Sequence, residues 1–396
     1  TYYMSTKYDF DKIIDRHGTG ALAVDVLNER YGRADLTPMW VADMNFETPE
    51  FITEALRRRL DHSLYGYTNI PAEFWPTVTK WIADHHQWNV NSEWMRFIPG
   101  IVKGIGFVIN VFCKPDEKVI IQPPVYHPFR LTPLGNKREV VMNPLIMNED
   151  GSYSMDFDGL AKVADDKCRV LILANPHNPA GIVWDVDTLS RLADFCSERG
   201  IIVISDEIHC DMAHPGHKHH PFASVSERAA QCSITFGAPS KTFNIAGIVS
   251  SYCVVPNEEL RRPFFEWLDA NELSEPTIFS PIATIAAFKY GEEWRRQMLE
   301  YIEANIDFVD NFLKTRIPQI KALRPQASFL IWLNCRALNL DHDALNRLFV
   351  DGARLALNDG EMFGREGRGF MRMNIASPRA VLQDALERLE KAVKAL

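Results

Sequence analysis

Long apolar runs are missing from this sequence. Its 396 residues are 46% hydrophobic, enough for a large buried core. Yet the apolar runs are as short as residues 201–204, far below the length that crosses a bilayer. The N-terminus, TYYMSTKYDF, lacks the apolar stretch of a secretory signal, and we expect Met4 to be the natural start behind a short remnant. Positive charge is not in excess either. The formal net charge is -9, which argues against a nucleic-acid footprint and for an acidic, soluble surface. Cysteine is present but unpatterned. Its seven residues are odd in number and widely spaced, with no CxxC pair, so neither a disulfide framework nor a zinc site is expected and a reducing, cytoplasmic setting is. Repeats, low-complexity tracts and Pro/Gly/Ser linkers are lacking, so nothing in composition separates domains.

What is present is alternation. Short apolar runs at 119–121, 170–173, 201–204 and 233–236 predict buried strands, separated by amphipathic stretches that predict helices, the pattern of βαβ units. One helix carries Leu189, Leu192, Ala193 and Cys196 on a single face and closes at Gly200. Another opens at Pro99-Gly100 and buries Ile101, Ile105, Val108, Ile109 and Phe112. The tail changes character beyond a soft boundary at 281–289. Long amphipathic helices at 292–312 and 379–396 flank strand-like runs at 327–332 and 369–374, which reads as an α+β unit.

Polar residues fall where these strands end. Tyr126 follows the first, Asn175 and Asn178 the second, Asp206 and His209 the third, and Lys241 the fourth. In an open parallel sheet such loops share one edge, where ligands bind. Each residue alone has a plain explanation. Lys241 resembles any surface lysine, Asp206 resembles a helix cap, and Asn-Pro pairs favour turns. Gly104-Ile-Gly106 lacks both the third glycine and the preceding strand of a dinucleotide fingerprint. Together they suggest more. A desolvated lysine is an amine nucleophile. A carboxylate at a buried strand end needs a cation, and a pyridinium nitrogen is one. An asparagine amide can donate to a phenolate oxygen, a tyrosine can stack on a heterocycle, and the helix N-terminus at residues 100–102 can cradle a phosphate. Those parts suit pyridoxal phosphate, held as a Schiff base on Lys241.

The sequence resembles the fold-type I pyridoxal-phosphate enzymes, the aspartate aminotransferase superfamily, and within it the cystathionine β-lyase and cystalysin-type C–S lyases. The resemblance rests on residues 38–44 (PMWVADM), 64–68 (LYGYT), 100–102 (GIV), 124–129 (PVYHPF), 176–184 (PHNPAGIVW), 205–209 (SDEIH), 238–247 (APSKTFNIAG) and 370–374 (FMRMN), which span nearly the whole chain. It implies an α/β fold with a large domain on a mainly parallel seven-stranded sheet, residues 48–285, and an N-terminal arm with a smaller α+β domain, residues 1–47 and 286–396. It implies Lys241 and Tyr126 as catalytic groups, Lys241 moving the substrate's Cα proton and Tyr126 stacking on the ring. Asp206 would pair the ring nitrogen and Asn178 contact the ring oxygen, with His209 standing where many transaminases place a tyrosine. Ile101, Val102 and Ser240 would hold the phosphate, Tyr67 would reach the phosphate of a neighbouring subunit in a homodimer, and Arg372 would clamp the substrate carboxylate. Three positions depart from what the resemblance leads one to expect: Val249 and Ala238 stand where many transaminases carry a basic residue and a serine, and Asn45 where C–S lyases usually show an aspartate.

The resemblance implies β-elimination of L-cystathionine, related cysteine S-conjugates or L-cysteine to a thiol, pyruvate and ammonia. Transamination between an amino acid and a 2-oxo acid shares the early steps and is the alternative. A regulatory role, binding a transcription factor, is an alternative of another kind. The histidine-rich segment 214–220 is interrupted by turn residues, so we expect entrance-loop or surface histidines and no metal. Trp75, Trp81, Trp88 and Trp94 are expected to pack in the core and interfaces.

Overall fold

A computed structural model describes residues 6–396; Met4 lies outside the described residues. The chain forms two compact units, one of Thr48–Asn178 and Ile182–Gly291, the other of the chain through Glu47, Pro179–Gly181 and Glu292–Leu396.

The first unit is built on seven strands: β1 (Met95–Ile98), β2 (Lys118–Ile121), β3 (Glu139–Met142), β4 (Cys168–Ala174), β5 (Ile202–Asp206), β6 (Ser233–Gly237) and β7 (Ser251–Val254). Their order is β1-β7-β6-β5-β4-β2-β3, and β7 alone runs against its neighbours. Its helices include α1 (Phe74–His86), α2 (Ile101–Phe112), α3 (Pro128–Gly135), α4 (Val186–Glu198), α5 (Glu258–Ala270) and α6 (Phe279–Tyr290). The central strands are buried along nearly their whole length because both faces are covered, and β4 and β5 carry continuous apolar runs. The edge strand β3 is half-exposed and leads with Glu139. Helix α4 starts where Asp185 accepts the Thr188 N–H, and it buries the four residues the periodicity picks out.

A strand does precede Gly104, contrary to the sequence reading: β1 is four residues long with Arg96 inside, too short and mixed to register as a run. Gly104 serves packing. A Cβ there would stand 2.7 Å from the Phe236 ring and 3.1 Å from Ile98, so glycine lets α2 lie directly on the sheet. The core of this unit joins Ile105, Val108 and Ile109 of α2 to Val170, Ile172, Ile204 and Phe236 of the sheet.

The second unit carries helices α7 (Glu292–Arg316) and α8 (Arg379–Lys394), and strands β8 (Lys321–Leu323), β9 (Leu330–Asn334), β10 (Asn358–Asp359) and β11 (Phe370–Asn374). These strands form an antiparallel sheet in the order β8-β9-β11-β10. The N-terminal segment belongs to it. Phe10 packs edge-on against Phe46 at 5.1 Å, and Thr37–Pro38 pairs with Leu355–Ala356. Among the described residues no helix is long and apolar enough to cross a membrane.

Candidate active site

Because β7 is antiparallel to both β1 and β6, the ends of β1, β2, β4, β5 and β6 all face one edge. Hydrogen bonds tie the loops there into a continuous floor. The Tyr126 N–H donates to the Asn178 carbonyl at 3.1 Å, Asn175 N–H to the Asp206 carbonyl at 3.0 Å, and Glu207 N–H to the Phe236 carbonyl at 2.9 Å. In register, Ala174 sits opposite Asp206, and Asp206 opposite Phe236. Tyr126, Asn178, Asp206 and the loop of Lys241 thus emerge side by side.

Asp206 is the member most affected by burial. It is buried, and its Oδ1 accepts the Ile208 N–H at 3.2 Å. Burial pushes its carboxyl up to about 6, and the Ile208 N–H and the charge of Lys241 pull against that rise. The Asp206 turn is followed by a short 3-10 turn, Cys210–Met212, so Asp206 is not the cap of an α-helix. His209 is buried in that turn. Tyr126 is half-buried at the start of α3, its ring 5.2 Å from that of His127.

Lys241 is half-buried on the arch between β6 and β7. The arch is pinned repeatedly. Thr48 Oγ1 donates to the Asn244 carbonyl at 3.0 Å, Ser280 Oγ to the carbonyls of Ile248 and Val249 at 3.1 and 2.9 Å, and Ser250 Oγ meets Thr284 Oγ1 at 2.6 Å. Val249 holds φ at 57°, a region a β-branched residue adopts only under constraint. Ala238 and Ser240 are buried on the same arch.

Helix α2 begins at this edge, with Gly100 at φ 119°. Ser251 Oγ accepts the Gly100 N–H at 3.0 Å and donates to the Ile98 carbonyl at 2.6 Å. The N–H groups of the helix's first turn, including Ile101 and Val102, have no carbonyl within the helix to reach. That end carries partial positive charge and suits a phosphate. The donor set therefore fits pyridoxal phosphate: a lysine, a carboxylate short of a cation, an amide, an aromatic ring and a helix N-terminus.

Tyr67 does not join this cluster. It is fully exposed and lines a groove of about 1060 Å³ bounded by residues 65–70, Glu272 and residues 274–279. Arg372 belongs to the other unit. It is buried on β11, its Nη2 donates to the Trp40 carbonyl at 2.8 Å, and its guanidinium lies 5.1 Å over Phe363. Asn45 links the same unit: its Nδ2 donates to Ser377 Oγ at 2.9 Å, and its Oδ1 accepts from Arg16 at 2.9 Å.

The sequence reading misses a second layer behind the strand ends. Glu207 is buried and its Oε2 accepts from Ser205 Oγ at 2.7 Å and from the Phe222 N–H at 3.0 Å. Its Oε1 meets His219 Nε2 at 2.9 Å. Asp211 Oδ1 takes the Trp81 indole N–H at 3.0 Å and lies 2.7 Å from His86 Nε2. The His86 and His219 rings stand 5.1 Å apart. The expectation of entrance-loop or surface histidines in segment 214–220 is corrected for His214 and His219, which are buried, while His217 is exposed. Burial holds His219 below the ordinary imidazole range despite Glu207. Trp81 packs as expected, stacked on Phe288 at 4.8 Å, and also anchors Asp211. His86, Cys210 and Asp211 each bring a ligand atom within 4.8 Å of the others, and hydrogen bonds to Asp211 account for that convergence. The available signal is strand alternation, which puts Asp206 on one face and Ser205 and Glu207 on the other.

Comparison with known proteins agrees with this geometry. The chain is 41% identical to cystathionine beta-lyase PatB of Bacillus subtilis over 97% of its own length and 100% of the relative's. The fold is similar to that of cystalysin from Treponema denticola, whose structure contains pyridoxal 5'-phosphate, with a TM-score of 0.95 and 35% identity, covering 98% and 100% of the two chains. It is similar too to a PLP-bound C-S lyase from Staphylococcus hominis, with a TM-score of 0.91 and 33% identity, covering 98% and 99%. Residues 35–389 match the family described as aminotransferase class I and II, and the chain belongs to that family.

Proposed function

We infer that this chain is a pyridoxal-phosphate-dependent carbon–sulfur β-lyase that cleaves L-cystathionine or related cysteine S-conjugates, with water, to a thiol, pyruvate and ammonia. One observation carries it: a buried carboxylate, Asp206, and a lysine, Lys241, end adjacent strands of a chain similar along its whole length to C–S lyases. When bound, the cofactor supplies an electron sink for a carbanion at the substrate Cα.

The residues divide the work. Lys241 would anchor the cofactor through its amine and, when free, would take the substrate's Cα proton on that nitrogen. Asp206 would hold a proton at the ring nitrogen, where an ion pair would offset the burial that raises its own carboxyl. Asn178 and His209 would contact the ring's oxygen, and Tyr126 would stack on the ring. Ile101, Val102 and Ser240 would hold the phosphate, and Arg372 would clamp the substrate carboxylate by a two-pronged contact. A thiolate leaves from Cβ because the electrons left at Cα expel it.

Homodimer formation belongs to the same reading. Tyr67, fully exposed beside a large groove, is a group waiting for a surface to reach, and a second copy's phosphate is that surface. Tyr67→Phe should weaken cofactor binding and leave the fold intact. The cytoplasm suits seven cysteines, none of them disulfide-bonded. The deciding assay follows pyruvate and thiol release from L-cystathionine with no 2-oxo acid added. Turnover that requires an added 2-oxo acid overturns elimination in favour of transamination.

A further inference from the structure

We propose that Glu207 is a positioning residue for the cofactor pocket, clamping the exits of β4 and β5 from behind so that Asp206 and Asn178 keep their places. The proposal rests on the reading of that pocket as a pyridoxal-phosphate site. Asp206 ends β5 and Glu207 follows it directly, so continued strand alternation sets their side chains on opposite sides. On that far face Glu207 is buried and gathers donors from separate segments: Ser205 Oγ on β5 at 2.7 Å, Phe222 N–H at 3.0 Å and His219 Nε2 at 2.9 Å. Asn175, at the exit of β4, reaches it at 3.5 Å and donates to the His220 carbonyl at 2.9 Å. Asn175 also donates its N–H to the Asp206 carbonyl at 3.0 Å, so Asp206 and the turn leading to Asn178 share one fastening. The other end of the turn is held separately by Asp211, through Trp81 and His86 of α1. A buried carboxylate with this many donors and no reacting partner has structural cohesion to supply, and the atoms it coheres are the cofactor's contacts.

The side chain can be altered without collapse. In Glu207→Gln, the amide oxygen keeps the Ser205 and Phe222 donors. The amide nitrogen can donate to His219 Nε2 once that ring carries its proton on Nδ1, an atom with no hydrogen-bond partner. Glu207→Ala removes all of these contacts, and His219→Leu removes one.

The experiment uses the full-length protein loaded with pyridoxal phosphate. It measures the cofactor's dissociation constant, the visible circular dichroism of the bound cofactor, and kcat and KM separately. Glu207→Ala should raise the dissociation constant on the order of tenfold, diminish the dichroism and lower kcat with KM nearly unchanged. Glu207→Gln should restore affinity and dichroism to within about threefold of the original protein. Should Glu207→Ala not fold, His219→Leu carries the same test and should show a smaller fall in dichroism. Wild-type dichroism and affinity in Glu207→Ala, or in His219→Leu when that variant stands in, overturn the proposal. So does a Glu207→Gln protein as impaired as Glu207→Ala. Wild-type protein that takes up no pyridoxal phosphate instead overturns the reading of the pocket, and this inference with it.

Discussion

Replacing Asp206 by asparagine should stabilise the cofactor-free protein and weaken the cofactor-loaded one. Burial lifts the Asp206 carboxyl from 3.8 to about 6. Each pH unit of such a difference corresponds to about 1.4 kcal/mol, so ionised Asp206 costs the folded chain about 3 kcal/mol. The sign follows from proton counting. The folded state holds this proton more tightly than the unfolded state, so the contribution is intact below the ordinary value of 3.8 and is lost as the pH climbs to about 6. Above that, the loss is constant. Asparagine is nearly isosteric, its amide oxygen can still accept the Ile208 N–H, and it never ionises. Cofactor-free Asp206→Asn should therefore melt about 4 °C higher than wild type at about pH 8, with the gap closing toward about pH 4. Adding pyridoxal phosphate should raise the wild-type melting temperature far more than the variant's, because only the carboxylate forms an ion pair with a protonated ring. Thermal unfolding of both proteins, with and without cofactor across that pH range, checks this. Equal melting temperatures without cofactor at about pH 8, or a gap that widens as the pH falls, would refute the reasoning.

Other perturbations have equally definite outcomes. Lys241→Ala should abolish both turnover and the visible band of the lysine-bound cofactor, checked by absorbance and pyruvate release. Gly104→Ala puts a methyl 2.7 Å from Phe236; overpacking of about 1–3 kcal/mol outweighs about 1 kcal/mol of helix propensity, so denaturant unfolding should show a net loss. Displacing α2 should also weaken phosphate binding at its N-terminus, read by cofactor titration. Arg372→Lys keeps the charge but loses the flat two-pronged geometry, and steady-state kinetics should show KM rising by about tenfold or more.

The sequence carries the central strands clearly because burial on both faces leaves continuous apolar runs, as in β4 and β5. It carries β1 and β3 poorly: each is four residues long, β1 interrupted by Arg96 and β3 half-exposed at the sheet edge. Strand-end polar residues are legible because their positions follow from the runs before them. The layer behind them is not. His86 meets Asp211 across 125 positions, and Arg372 meets Trp40 across 332, pairings that no local period encodes. Val249 is the reverse case, where a side chain suited to extended backbone is forced into the left-handed region by the pinned arch around it.

The arch from Lys241 to Ser251 leaves the sheet and returns to it at the same edge, with Gly237 and Tyr252 paired at its feet. Bolted at both feet and along its span, it behaves as a bridge deck rather than a flap. In the role proposed for Lys241, its amine would move on its four methylenes alone, over that footing. A nitrogen on so short a leash sweeps a small arc and returns to the same place on every cycle. A longer or looser arch would spread that arc and lower the fraction of swings that land on the right atom.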